Sequence, residues 1–375
     1  MATATPPPPV LISTTTIHSL ITHESLIRHL RSTLPHLSAA VHSPLRHAHQ
    51  TSPNSSLLLM PSWSSSPSLP YIGTKLVTHH PANSSLSMPG VHAVYVLFCS
   101  ATGRPLATMD ATDLTLYRTA CVSALASSHL SREDSNTLVM VGAGQLAPHL
   151  IKAHLSVRPK IKRVVVWNRT IEKAQKLVIQ LRNDDIALQG EVSFECCSGC
   201  LDEAVRTADI ICCATNSKTP LVRGVDLRSG AHLDLVGSFT PSMRECDDAA
   251  IARGRVYVDN EGAVEEAGEL VGAFERGVIG RDVIVGDLVG LIKGDVQGRR
   301  DLGEITVFKS VGSAVVDLLS AQLVYENLCG ITRGGRAPPR SPHADRFLAS
   351  HILRPETEED EKPIENRGCE PPSRP

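Results

Sequence analysis

Thr137-Leu-Val-Met-Val-Gly-Ala-Gly-Gln-Leu-Ala147 is the stretch that decides the fold. An apolar run ends in Gly142-Ala-Gly144 and then enters a helical pattern. This is the G-x-G-x-x-A arrangement in strand–turn–helix context. Gly142 permits the tight turn, and Gly144 leaves room for a close approach to the backbone. The N–H groups from Gly142 through Ala143, Gly144, Gln145 and Leu146 can then meet a pyrophosphate at the start of a helix, where the dipole favours negative charge. Ala147 is small enough for that helix to pack on the strand.

A second apolar run, Val164-Val-Val-Trp167, follows at the spacing of a βαβ unit and ends in Asn168-Arg169-Thr170. A site for NAD usually has an acidic residue there, for the ribose 2′-hydroxyl. An arginine suits the 2′-phosphate of NADP instead. Arg169 could equally be a solvated arginine after a strand. The glycines upstream favour the phosphate reading, so NADPH is the expected cofactor.

Outward from this unit, strand and helix patterns alternate from about Glu133 to Ile305. Further strands are expected at Val192–Glu195, Ile210–Ala214, His232–Val236 and Arg255–Val258, with helices at Ile171–Arg182 and Leu201–Thr207. Such alternation builds a doubly wound parallel sheet with ligand at the carboxyl ends of its strands. Gly142, Arg169, Thr215 and Gly237 all fall at such ends.

Before this segment, a helix is expected over Ser19–Leu34 and strands at Ser56–Met60, Tyr71–Thr78, Val91–Phe98 and Ala107–Asp110. A Ser/Pro-rich loop spans Pro61–Pro70, and a helix covers Leu114–Leu130. After it, an apolar helix over Ser313–Leu328 returns to the first portion.

The expected fold class is therefore α/β: a Rossmann-type doubly wound NADP-binding domain plus an α/β substrate-binding and dimerisation domain. The expected divisions are a flexible N-terminus at 1–9, the substrate domain at 10–132 and 308–330, the NADP domain at 133–307, and a disordered tail at 331–375. That tail is rich in Pro, Arg and Glu without apolar periodicity.

Composition narrows the function. A net charge of −2 and 3% aromatic residues point away from nucleic acid. No apolar run reaches the roughly 18 residues of a membrane span. The 10 cysteines lack a framework. Cys196-Cys197-Ser-Gly-Cys200 has a C-x-x-C spacing but no partner pair, so reduced thiols and no metal are expected. The N-terminus is hydroxylated and has no acid before Glu24, which fits a plastid transit peptide. Arginine is also absent before Arg28, so plastid and cytoplasm both remain open.

Three cations stand out in the first portion: Arg46 after Pro44-Leu45, Lys75 inside a strand, and Arg118 on an otherwise apolar helix. Each alone has a solvated reading. A buried Arg118, however, needs an anionic partner. Three converging cations would bind a carboxylate. Glu266 is either an exposed helical acid or a member of the same cleft.

Several of these stretches together resemble one family, the ornithine cyclodeaminase/mu-crystallin family, over roughly Val10 to Leu328. They are Lys75-Leu-Val, Leu114-Thr-Leu-Tyr-Arg-Thr-Ala120, Val141-Gly-Ala-Gly144, Val166-Trp-Asn-Arg-Thr170, Gly230-Ala-His-Leu-Asp-Leu-Val-Gly237 and Val307-Phe-Lys-Ser-Val-Gly312. Leu57–Ser66, Ala147–Lys152 and Leu235–Phe239 look like its plant branch, which reduces a cyclic dehydropipecolate.

The resemblance implies a homodimer built through the first domain. It implies that Arg46, Lys75 and Arg118 form the catalytic, carboxylate-binding cluster. It also implies that Asn168, Arg169, Thr170 and Lys173 hold the 2′-phosphate, and that Thr215, Asn216, Val236 and Ser310 line the rest of the cofactor cleft. One departure matters. The cyclodeaminase branch places an acid where Phe239 stands, and another where Leu58 stands. The expected reaction is thus NADPH-dependent reduction of a cyclic imino acid to pipecolate. The alternatives are an ornithine cyclodeaminase using NAD catalytically, or a non-enzymatic ligand-binding protein.

Overall fold

A computed structural model describes residues 8–86, 88–184, 192–197 and 199–331. Most of the stretch expected to be a flexible N-terminus, and all of the expected tail beyond Ile331, lie outside the described residues.

The first sheet holds β1 (Val10–Ile12), β2 (Val41–His42), β3 (His47–Ser52), β4 (Ser55–Ser64), β5 (Tyr71–His79), β6 (Val91–Cys99) and β7 (Pro105–Asp110). The order is β1-β7-β6-β5-β4-β2, with β3 also on β4. Only β1–β7 is a parallel pair. β4 runs further than its apolar residues suggest. Its inward alternation continues from Met60 through Ser62 and Ser64, all buried, so the first part of the expected Pro61–Pro70 loop is strand. Small hydroxyls carry the core face there, and hydropathy scores them as loop.

The expected single helix over Ser19–Leu34 is two: α1 (Thr14–Leu20) and α2 (His23–Leu37). The break has a local cause. The Thr22 hydroxyl accepts from the Ser25 N–H while the Thr22 N–H donates to the Ser25 hydroxyl, a reciprocal cap that starts a new helix. α3 (Ala111–Leu130) begins where the Asp110 carboxylate accepts from the Thr112 and Asp113 N–H groups. It is buried on nearly every side, because it lies between β6 of the first sheet and β12 and β15 of the second.

The second sheet is wholly parallel, in the order β10-β9-β8-β11-β12-β15-β13-β14. Its strands are β8 (Thr137–Val141), β9 (Arg163–Trp167), β10 (Ser193–Cys196), β11 (Ile210–Cys213), β12 (His232–Leu235), β13 (Arg255–Val258), β14 (Ile284–Asp287) and β15 (Thr306–Lys309). The chain turns from one direction of winding to the other between β8 and β11, which opens a crevice above their carboxyl ends. α4 (Leu146–Val157) and α5 (Ile171–Arg182) cover its early strands.

β14 and β15 were not expected. β15 slots between β12 and β13, and the expected boundary between residues 307 and 308 runs through it. The final helix, Ala314–Cys329, leaves β15 and packs on α2, β4 and β5 of the first portion, as its apolar run suggested.

Candidate functional site

The carboxyl edge of the second sheet carries the glycine turn. Gly142 has φ +112, and a Cβ there would stand 2.6 Å from the Ala214 carbonyl oxygen. Its N–H donates to the Trp167 carbonyl (2.8 Å), which locks the turn onto β9. A Cβ on Gly144 would meet nothing within 4 Å, so the space above it is open. α4 follows with no side-chain cap on its first turn; the Gly142, Ala143 and Ala147 N–H groups are taken by protein acceptors, so those of Gly144, Gln145 and Leu146 are the ones left to meet an anion. This cradle fits the pyrophosphate of a dinucleotide.

Beyond the turn, Asn168 accepts from the Ala143 N–H (3.2 Å) and donates to the Thr170 carbonyl (2.8 Å). It fastens the glycine turn to the Arg169 loop. Arg169 and Lys173 are exposed and form no ion pair among the described residues. Two unpaired cations beside a phosphate cradle are available to a phosphate.

Thr215 and Val236 sit on the loops after β11 and β12, and Glu245 ties these loops together. One carboxylate oxygen accepts from the Thr215 N–H (2.6 Å) and hydroxyl (2.9 Å), the other from the Gly237 N–H (2.7 Å). Burial pushes the Glu245 carboxyl up to about 7; the nearby Lys309 ammonium opposes that shift and the Glu269 carboxylate adds to it. Sequence reasoning missed this residue, which sits in a loop without pattern. Ser310 is buried after β15, with its N–H on the Leu235 carbonyl (3.1 Å), while Asn216 is exposed on the rim.

The cations lie just past β15. Gly312, at φ +88, stands so close to Arg118 that a Cβ would meet Nη1 at 2.6 Å. Arg118 Nε is 2.9 Å from Asp317 Oδ1, and Lys75 Nζ is 2.7 Å from Asp317 Oδ2. All three residues are at most 7% exposed. β5 places Lys75 on the face turned toward the final helix, α3 supplies Arg118, and that helix supplies Asp317 in its first turn.

The partner that a buried Arg118 demanded is thus Asp317, which the sequence reading passed over. Its signal was visible: an acid in Ala314-Val-Val-Asp-Leu-Leu319 is as out of place as an arginine on α3. Burial pushes the Asp317 carboxyl up, but Lys75 and Arg118 outweigh it and hold the acid below its ordinary value. Burial lowers Lys75 to about 8. The Asp317 carboxylate pulls it back up, while Arg118 and Arg46 push it down.

Arg46 and Glu266 line the adjoining cleft of about 500 Å3. They pair with each other at 2.5 Å, each side chain about a quarter exposed. Burial raises the Glu266 carboxyl, with Arg46 opposing. Phe239 is 42% exposed.

The chain is similar to known proteins along most of its length. The chain matches the family model described as ornithine cyclodeaminase/mu-crystallin over residues 9–331. It is 57% identical over 318 residues to Protein SAR DEFICIENT 4 of Arabidopsis thaliana, covering 85% of this chain and 97% of that one. It is 39% identical over 325 residues to a Δ1-pyrroline-2-carboxylate reductase of Colwellia psychrerythraea, covering 85% and 99%. Among solved structures, the Thermococcus litoralis Δ1-pyrroline-2-carboxylate reductase in complex with NADH and L-proline superposes with a TM-score of 0.79. That match has 29% identity and covers 86% of this chain and 98% of the other. The chain belongs to the ornithine cyclodeaminase/mu-crystallin family.

Proposed function

We propose that this protein is an NADPH-dependent reductase of a cyclic imino carboxylate, with Δ1-piperideine-2-carboxylate or its enamine tautomer as substrate and pipecolate as product. One observation carries the reading: a buried Lys–Asp–Arg cluster abuts the rim of a dinucleotide crevice, at Gly312. Relatives named as cyclic imino acid reductases, one of them solved with NADH and L-proline, support it.

When bound, the reduced nicotinamide supplies a hydride to the imine carbon. Arg118 has its Nε on Asp317, which leaves its terminal nitrogens to clamp the substrate carboxylate and orient that carbon. Arg46 supplies a second cation once Glu266 releases it to the incoming anion. Lys75 delivers the proton that keeps the imine cationic, and Asp317 holds Lys75 in place while balancing both charges. With one hydride and one proton consumed, the C=N bond becomes CH–NH. Arg169 and Lys173 recognise the 2′-phosphate, so NADPH is preferred to NADH. Phe239 and Leu58 stand where the resemblance places the acids of the cyclodeaminase branch, which favours reduction over cyclisation.

The same reading includes a homodimer. The face of the first sheet turned away from Lys75 carries Trp63, Ile72, Leu76, Val94, Val96 and Phe98. Trp63 and Val94 are 39% and 42% exposed. A second copy would cover this apolar face. Light scattering of the chain and of Val94→Glu checks it: a dimer that the charge splits supports the assignment, and a monomeric parent chain overturns it. The acid-poor N-terminus supports a plastid address, read by imaging a fluorescent fusion.

The deciding assay follows NADPH oxidation with five- and six-membered cyclic imino carboxylates, beside ammonia release from ornithine. Turnover of the six-membered imine with NADPH is expected. Ammonia release without net NADPH loss would make the protein a cyclodeaminase, and no turnover of any imine would leave only a binding role.

A further inference from the structure

One buried polar cluster takes no part in this chemistry. His154 on α4, Cys212 on β11 and Asp234 on β12 are all 0% exposed, on the face of the second sheet that α3 and α4 cover. Cys212 and Asp234 are register partners on adjacent strands. Cys212 Sγ lies 3.0 Å from Asp234 Oδ2, and His154 Nε2 lies 3.8 Å from the same oxygen. All three donor atoms fall within 4.8 Å of one another.

The histidine tautomer makes this arrangement unusual. His154 Nδ1 is 2.9 Å from the Leu150 carbonyl oxygen. A carbonyl only accepts, so Nδ1 carries the hydrogen and Nε2 of the neutral ring presents a bare lone pair. That nitrogen is buried and has no hydrogen-bond partner. It is aimed at a carboxylate oxygen, with a sulfur alongside. Cys212 donates its S–H to that oxygen, whereas the bare His154 nitrogen faces the same oxygen with no proton between them; a cation in place of the thiol proton would draw all three groups to one point.

We propose that His154, Cys212 and Asp234 form a structural site for a divalent ion of the zinc class, separate from the reaction cleft. Nitrogen, sulfur and oxygen donors together suit such borderline ions. With metal–ligand bonds of about 2.0–2.3 Å, tetrahedral ligand atoms stand roughly 3.3–3.8 Å apart, close to the separations present. The outer contacts are also those of a metal site. The imidazole N–H is held by a backbone carbonyl, and the Ser123 hydroxyl donates to the other Asp234 oxygen at 3.2 Å.

Charge balances as well. Binding replaces the Cys212 S–H by a metal–thiolate bond and releases one proton. The dication then meets one thiolate and one carboxylate, and the buried set is neutral. The ion would tie α4 to β11 and β12, and through Ser123 to α3. It would bind as the chain folds, since the site is closed to solvent.

The test uses the full chain, unfolded, stripped with chelator and refolded with Zn2+ or Co2+, then desalted. The parallel chains are Cys212→Ser, Asp234→Asn and a Cys197→Ser/Cys200→Ser control that removes the C-x-x-C pair, which lies outside the buried cluster. The parent chain and the control should each retain about one metal by mass spectrometry and unfold at higher temperature with zinc than without. Metal retention by Cys212→Ser and Asp234→Asn should fall at least about tenfold. The cobalt form of the parent chain should show a thiolate-to-metal charge-transfer band that Cys212→Ser lacks. This spectrum is read on the parent chain, so it decides even if a variant misfolds. A parent chain that retains no metal, or a band that disappears with Cys197 and Cys200 instead, overturns the site. Imine reduction is not the readout, so failure here leaves the reductase reading standing.

Discussion

Two groups of cations, one buried and one open, stand on the same crevice and are built on opposite principles. Lys75 and Arg118 are buried, pre-paired on one carboxylate and held by three different elements. Arg169, on the β9–α5 connection, and Lys173, in the first turn of α5, lie exposed without an ion-pair partner among the described residues. The buried pair can position a reacting carbon, because its geometry is fixed before substrate arrives. The exposed pair can only select a ligand, since water screens it until a phosphate binds. The difference teaches that a cation's role follows from what it costs to leave that cation alone. For Lys75 and Arg118 the cost is high, and the fold supplies Asp317. For Arg169 the cost is near zero, and none of the described residues forms an ion pair with it.

The sharpest way to break this contrast is to remove the shared carboxylate. Asp317→Ala leaves two buried cations without their anion, and the expected loss of folding stability is about 3–5 kcal/mol by urea unfolding. Arg169→Ala should stay within about 0.5 kcal/mol of the parent chain. Equal losses in the two variants would mean that burial does not separate the regions.

Next in size is the effect on turnover. If the Arg118 fork clamps the substrate carboxylate in a partly desolvated cleft, Arg118→Ala removes that clamp. The expected loss is on the order of 2–5 kcal/mol of transition-state stabilisation, or roughly thirtyfold to several thousandfold in kcat/KM. Arg118→Lys should also be impaired, because an ammonium cannot reproduce the planar fork. NADPH affinity should hold in both variants. A folded Arg118→Ala with full turnover would move the substrate site elsewhere in the cleft.

The two regions also differ in how far the sequence discloses them. The glycine turn and Arg169 lie within one continuous βαβ unit, so spacing alone places them at one edge of a sheet. Lys75, Arg118 and Asp317 come from a strand and two helices, and no local pattern links them. Arg118 announced a missing partner through its apolar neighbours, and Asp317 carried the same signal on its own helix. Pairing the two needs the third dimension. Glu245 gives no sequence signal, since its work is to join two loop backbones. β15 consists of only Thr-Val-Phe-Lys, which a hydropathy reading treats as a connection, although Lys309 is fully buried. β4 and the α1–α2 break were misjudged because serine and threonine serve a core face in one place and a helix cap in the other.

The exposed pair gives a smaller expected effect, confined to the choice of cofactor. A charge-assisted contact from Arg169 to a 2′-phosphate contributes about 1.5–3 kcal/mol. Arg169→Ala should therefore raise the KM for NADPH, leave the KM for NADH nearly unchanged and keep kcat. If the parent chain uses the two cofactors equally, these cations recognise something other than the 2′-phosphate.

The smallest effect, near neutral pH, belongs to the titration of Lys75. Burial lowers its ammonium from 10.5 to about 8, with Asp317 opposing and Arg118 assisting. If Lys75 delivers the proton to the imine, kcat/KM should fall as pH rises through about 8, by about tenfold per unit beyond it. Stability moves the other way. Between about 8 and 10.5 the unfolded chain keeps a lysine proton that the folded chain has lost, so the Lys75 contribution to stability rises with pH across that window. Loss of rate there cannot then be loss of fold, and thermal unfolding at each pH separates the two. Lys75→Arg should keep the charge beside Asp317 while removing the titration, giving a slower enzyme with a flatter profile. A parent chain whose rate stays level to pH 10 would show that the buried lysine positions the substrate without protonating it. The buried region would then work, like the exposed one, through charge alone.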